Sequence, residues 1–507
     1  MGPRDTDPAR PGQHRPGLNT SQPTAPGLST SKIVFLVVAA AAPMAAMVGV
    51  VPLQFALGTG AGTPGAYLLA GLTLLCFSVG YAAMSRRITN TGGFYTFIAR
   101  GLGRPPAVAG ALVAVIAYNA VAVQLVGGFG YFAELVVRQQ TGLDLPWEVC
   151  SGAAVLLTAV LGFRQIDLSA RVLGALMLAE IAILLLLDLA VIGHRGAAAL
   201  PVGSFAPHAV LGDGVGPAML FAFGAFVGFE SAALYGEEAR NPRRAIPVAT
   251  YTSVVLITGF YGFTTWAAVG GIGPERVRRF AEAQLGNTIF ALTDEYVGPL
   301  ATTVMAVLLC TSLFASLLAL HNAASRYLYA LGRERLLPGW LGHRHPRHGA
   351  PSRASLAQTA VNIAVPAAFA AASLDPYLNL STSMAGLGTL GILVLQAAAA
   401  ASVLGYFRRR PDRHWWRTGL APAIGLAGLL GATVLVLRRF ALLTGTDSRV
   451  VNALPWLIAA AALGGIGYAH WLRARRPAVY AGLAEDRPPP PTREPDPNVP
   501  TTAVPTP

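Results

Sequence analysis

The sequence predicts an all-α integral membrane protein of twelve transmembrane helices, and three observations carry that expectation. Of the 507 residues, 53% are hydrophobic and only 12% charged, with a mean hydropathy of +0.52. An ordinary soluble chain carries about 25% charged residues, so this one lacks the polar side chains to cover several soluble domains. Twelve apolar runs follow one another, and at about 20 residues per span almost all are long enough to cross a bilayer. The basic residues crowd into alternate connecting segments, as expected when lysine and arginine hold a loop on the cytoplasmic side.

Residues 1–31 are rich in Pro, Gly, Ser and Thr without an apolar period and read as a disordered cytoplasmic tail. This tail is too polar, and the run after it too long, for a cleaved signal peptide. The runs lie at about 33–57, 66–84, 107–137, 147–163, 171–192, 215–234, 248–270, 298–325, 353–372, 378–404, 418–437 and 453–472. They divide into a ten-helix core (32–404), with halves at about 32–192 and 215–404, and a closing pair of helices (405–476). Residues 477–507, with ten prolines, read as a second disordered cytoplasmic tail.

With the N-terminus inside, 29 of the 37 lysines and arginines fall in cytoplasmic segments and 8 in outer ones. Both termini are therefore expected in the cytoplasm, with the chain in the cell membrane. The same distribution accounts for the formal charge of +13 without a nucleic-acid-binding face. Lys32 is the only lysine and follows no glycine-rich loop, which excludes a P-loop ATP-driven pump. Cys76, Cys150 and Cys310 lie in apolar stretches and suggest neither a disulfide framework nor a zinc cluster. His343, His345 and His348 sit in an arginine-rich loop without a nearby acid or cysteine, so no metal and no cofactor is expected.

Two runs differ from plain lipid-facing helices. The first passes through Pro43, Gly49, Pro52 and Gly58; the sixth is interrupted by Gly224 and Gly228 and carries Glu230. Such breaks free backbone groups, which at membrane depth are tolerated only where protein or a water-filled cavity satisfies them. Breaks at corresponding places in two halves point to a substrate site on an inverted repeat. The alternative is that these glycines only ease helix packing.

Three motifs carry a family resemblance. Gly92-Gly93-Phe94-Tyr95 with Arg100-Gly101-Leu102-Gly103 resembles the segment before the third helix of the amino acid-polyamine-organocation permeases. Phe226-Val227-Gly228-Phe229-Glu230, followed by Glu237-Glu238-Ala239-Arg240-Asn241-Pro242, resembles that family's sixth helix and the loop after it. Arg326-Tyr327, Gly332-Arg333-Glu334-Arg335-Leu336-Leu337-Pro338 and Ala350-Pro351 resemble its eighth helix and following loop. The resemblance implies a five-plus-five inverted repeat of the LeuT-like type, helices 1 and 6 unwound at midplane, and alternating access for an amino acid or related amine.

By that pattern Met47, Val48, Gly49 and Val50 (with Val51) would face a substrate carboxylate, and Phe223, Gly224, Ala225 and Val227 (with Phe226) its amine. Helix ends and freed backbone groups suit a zwitterion. Tyr118, Asn119 and Gln124 in the third helix, and Ser381, Thr382 and Ser383 near the tenth, are further candidates, each with packing as its plainer role. The chain departs from the family pattern at Met47, where the first glycine of a Gly-x-Gly stands, and at Gly224, where some relatives have tryptophan.

Acids at membrane depth are functional candidates. Glu230 adjoins the sixth-helix break, and protonating it would remove a buried charge; the alternative is a structural carboxylate bonded to the break. Glu180, after Ser169-Ala170-Arg171, stands where several proton-coupled relatives place a lysine. It would exchange a proton directly or help bind a cation with Ser312 or Ser316. Proton coupling is favoured over sodium, with exchange transport the remaining option. Asp188 is expected near the outer end of its helix as an interface residue and His321 in helix packing, while Trp415 and Trp416 read as an interfacial anchor. The expected function is a non-enzymatic permease whose partners are a small-molecule substrate, a coupling ion and the lipid bilayer. A membrane receptor that binds without translocating is the alternative, and neither the oligomeric state nor the substrate is specified.

Overall fold

The computed structural model describes residues 28–88, 93–164, 170–230, 232, 239–345, 350–408, 410–444 and 446–483. The described residues are almost entirely helical, without a named strand. Gly92, Ser169, Glu237, Glu238 and His348 of the motifs, and most of both expected tails, lie outside them.

The first apolar run is three helices, α1 (Thr30–Ala40), α2 (Pro43–Met47) and α3 (Val51–Leu57). Then come α4 (Thr63–Ser85), the short α5 (Gly93–Leu102), α6 (Arg104–Thr141), α7 (Trp147–Phe163) and α8 (Ala170–Arg195). The second half opens with α9 (Val215–Ala225), which stops well short of the expected end at 234. It continues through α10 (Pro242–Ile272), α11 (Val277–Gln284), α12 (Thr288–Tyr296), α13 (Pro299–Arg333) and α14 (Ser352–Ala371). A π-turn at Pro376–Ser381 leads into α15 (Thr382–Phe407), and α16 (Ala421–Arg438) and α17 (Pro455–Arg475) are the last long helices, with helices of four or five residues between and after them.

Eight helical segments among the described residues are long and apolar enough to cross a membrane. Pro43–Leu57, Trp147–Phe163 and Val215–Ala225 are apolar but shorter. Interruption explains the first and last of these. Helices α11 and α12 were not apparent from the apolar pattern because they are short, and α11 is polar in sequence.

Helix α6 runs through the centre, packing on α5, α7, α13, α15 and α17, and much of it is buried. Helices α7, α8, α16 and α17 form the perimeter and turn large apolar side chains outward, such as Leu156 at 68% and Leu463 at 71% exposure. In water such surface would be a liability; in a bilayer it is the expected lipid-facing belt.

Small residues permit close approach where helices cross without a hydrophobic drive to bring them together. A Cβ on Gly214, ahead of α9, would strike the Gly58 carbonyl at the end of α3, and one on Gly101 would strike the Ser402 backbone of α15. The last described residues depart from the tail expected over 477–507. Pro477–Ala481 is helical, and Arg104 donates hydrogen bonds to the carbonyls of Ala481 (2.6 Å) and Leu483 (3.5 Å). The high proline content begins only beyond this segment. At the other end, the Leu28 carbonyl accepts from the Arg240 N–H at 3.1 Å, so 28–31 also belong to the ordered chain.

Gly214→Ala is expected to destabilise the protein by roughly 1–3 kcal/mol through overpacking. Gly431→Ala, where an added Cβ meets nothing within 4 Å, should be neutral or slightly stabilising because alanine is the better helix former. Unfolding temperatures of the two variants in detergent compare them directly.

Candidate functional site

The first helix breaks earlier than expected. Pro43 has no N–H and disfavours α geometry in the residue before it. Ala42 takes the left-handed conformation (φ 46°, ψ 74°), and α2 begins at the proline. Such a conformation costs a non-glycine residue on the order of 1–3 kcal/mol, so its surroundings must hold it. The Ala41 carbonyl accepts from the Tyr261 hydroxyl at 2.9 Å. Past the break, the Met44 N–H donates to Glu180 Oε2 at 3.2 Å, and the Ser312 hydroxyl donates to the same oxygen at 3.1 Å. Glu180, on α8 and 4% exposed, therefore caps the start of α2, where the helix end favours negative charge.

The expected unwound segment, Met47 to Val51, is only distorted. Val48, Gly49 and Val50 keep their N–H groups on the Met44, Ala45 and Ala46 carbonyls at 2.9–3.1 Å. Pro52 denies Val48 its usual partner, and the Gly49 carbonyl accepts from the Tyr377 hydroxyl at 2.9 Å. Met47 and Val48 are buried in the core.

The second break lies where the sequence suggested. After Ala225 the N–H groups of Phe226, Val227 and Phe229 bond three residues back, and Gly228 has φ 114°. Glu230, 6% exposed, closes this turn: its Oε2 accepts from the Gly228 N–H at 3.0 Å and its Oε1 from the Tyr118 hydroxyl at 3.3 Å. The Tyr81 hydroxyl donates to the Glu230 carbonyl at 3.3 Å, and the rings of Tyr118 and Tyr327 lie 6.1 Å apart.

Each break is thus served by one acid and by tyrosines from neighbouring helices. Glu180 meets Ser312 and the first break; Glu230 meets Tyr118 and the second. Ser316 is half-buried, and the hydrogen bonds of Glu180 described above go to Met44 and Ser312. Phe223 and Ala225 are buried and Val227 half-buried. Gly224 gives no free room, since a Cβ there would come 2.8 Å from Thr389 Oγ1 on α15. Asn119 bonds its own helix through the Val115 carbonyl at 2.8 Å, Thr382 bonds the Leu378 carbonyl at 2.5 Å, and Ser381 donates to the Gln124 carbonyl at 3.2 Å. Asp188 lies inside the protein at 1% exposure, accepting from the Thr264 hydroxyl at 2.8 Å.

Sequence reasoning did not find Tyr261, Tyr81, Tyr377 or the two ties on α3. Gln54 Nε2 donates to the Ala218 carbonyl of α9 at 3.0 Å. Arg278 of α11 donates to the carbonyls of Ala56 (3.3 Å) and Gly58 (2.6 Å), capping the end of α3. Pro43 was a legible signal for the break, as a proline at the first position of a helix; the tyrosines carried none.

Comparison with known proteins agrees with this architecture. The profile of the family described as amino acid permease matches residues 28–466. An uncharacterized transporter of Mycobacterium tuberculosis is 34% identical over 215 residues, 42% of this chain and 43% of its own length, so the match spans less than half of that relative. The branched-chain amino acid permease of Lactococcus lactis is 29% identical over 371 residues, 69% of this chain and 77% of its own. The methylthioribose transporter of Bacillus subtilis is 25% identical over 362 residues, 68% and 74% respectively.

Glu180→Ala leaves the Met44 N–H and the Ser312 hydroxyl unpaired, each a cost of about 1–3 kcal/mol when buried. Glu180→Gln keeps an acceptor oxygen. The alanine variant should therefore unfold at a clearly lower temperature in detergent than the glutamine variant, and equal temperatures would show that the carboxylate does not support the break.

Proposed function

This chain belongs to the amino acid permease family, and we propose on that premise that it is a secondary transporter carrying an amino acid or related amine across the cell membrane by alternating access. The single observation that carries the reading is the pair of broken helices, each opening the same position of its half and each served by a buried acid. The reading includes twelve spans with both termini cytoplasmic, and a five-plus-five inverted repeat in which α1–α3 and α9 correspond. Met47, Val48, Gly49 and Val50, just past the first break, and Phe223, Gly224, Ala225 and Val227, at the second, are the proposed substrate region, with Tyr118 at its edge. Most of these side chains are apolar, which suits an amino acid with an apolar side chain. The branched-chain permease of Lactococcus lactis supports the same class.

Glu180 is the proposed proton carrier. Its Oε2 already receives two donors, so a proton added at Oε1 removes the charge while leaving both hydrogen bonds in place. Substrate and proton then enter together, and the neutral carboxyl crosses the conformational change without a bare charge at membrane depth. Glu230 differs: both its oxygens hold the second break and Tyr118, and it acts by shaping the substrate region. A receptor that binds without translocation is the competing outcome.

In proteoliposomes with an imposed inward proton gradient, the protein is expected to accumulate labelled branched-chain or other apolar amino acids. Glu180→Gln should lose accumulation while retaining exchange of internal for external substrate, and Glu230→Gln should weaken substrate affinity in both assays. Accumulation driven by a sodium gradient alone would remove the proton assignment. Binding with neither uptake nor exchange would replace transport with the receptor reading.

A further inference from the structure

Away from both breaks, α7, α13 and α14 meet along polar side chains that the proposed transport does not use. His321 on α13 is 1% exposed, and its Nε2 lies 2.9 Å from the Ser355 hydroxyl on α14. Gly162 of α7 faces the same ring, where a Cβ would come 3.0 Å from His321 Cδ2. One helical turn from these residues stand Thr158 on α7 and Gln358 on α14, with Asn362 a further turn along α14. All are buried.

The protein supplies only part of the hydrogen bonding. Gln358 Nε2 donates to Asn362 Oδ1 at 3.0 Å. Thr158 Oγ1, His321 Nδ1, Gln358 Oε1 and Asn362 Nδ2 have no partner among the described residues. Turning both amides over exchanges their roles but still leaves one acceptor and one donor. Four such groups left unpaired at one junction would offset much of a typical protein's net stability.

The chemistry of the four atoms selects what fills the space between them. They mix donors with acceptors and contain no acid, so a bare cation would meet an amide N–H and an anion a carbonyl oxygen. An apolar molecule would satisfy none. Water both donates and accepts, and a buried water makes about three hydrogen bonds. We propose that α7, α13 and α14 enclose an internal hydration site of about two water molecules, bonded to Thr158, His321, Gln358 and Asn362. The three helices are joined there by water rather than by direct side-chain contact.

A sign test separates a wet junction from a dry one, independently of transport. Thr158→Val keeps shape and removes the hydroxyl. In a hydrated site it deletes a bond to water and should lower the unfolding temperature in detergent. In a dry site it removes an unpaired buried hydroxyl, so an unchanged or higher temperature overturns the proposal. A map of the full-length protein at a resolution that shows ordered water gives the second readout. Density bridging Gln358 Oε1, Asn362 Nδ2 and Thr158 Oγ1 is expected; side chains turned to pair with one another, without such density, refute it.

Discussion

Inside a bilayer, a backbone N–H or C=O released from its helix must find a partner within the protein, and the two interrupted helices depend on that rule. At the first break the released groups are the Ala41 carbonyl and the Met44 N–H; Tyr261 and Glu180 supply their partners from α10 and α8. At the second, Glu230 takes the Gly228 N–H and Tyr81 takes the Glu230 carbonyl. The acids are therefore structural before they are anything else. Any protonation chemistry must work without undoing those bonds, and at Glu180 the second carboxylate oxygen makes that feasible.

The elements most legible in sequence were those set by long-range averages: helix positions follow hydropathy, and the course of α4, α7, α8, α13, α14 and α16 lies close to the apolar runs. The second break was legible because Gly224, Gly228 and Glu230 interrupt an otherwise apolar run. The first was misplaced by several residues, because the family pattern drew attention to Gly49 while the local steric effect of Pro43 on Ala42 acts upstream. Partner identity was mostly illegible. The meeting of Glu180 with Ser312 was anticipated, but Tyr118 with Glu230 and Tyr261 with Ala41 pair residues 112 and 220 positions apart, and no periodicity reports such distances.

Glycine and polar residues carried double meanings that only packing resolved. Gly224 stands against Thr389 and not open space. Asp188, expected as an interface residue near the outer end of its helix, is buried and bonded to Thr264 of α10. Residues 477–483 share composition with a tail yet are held by Arg104, because two backbone carbonyls suffice to fix a short helix whose side chains say little.

The contact of Gly58 with Gly214 has a mechanical consequence. Two backbones in van der Waals contact, with Gln54 bonded across to Ala218, make α3 and α9 a single lever. Neither can tilt without carrying the other, and Arg278 ties that lever to α11. In the proposed alternating access, movement would concentrate at Ala42 and Gly228, where the backbone has left the helical ladder and bends at least cost. The two pivots would then turn together, so that a displacement beginning beside Glu180 would reach Glu230 through the lever and not through the side chains between them.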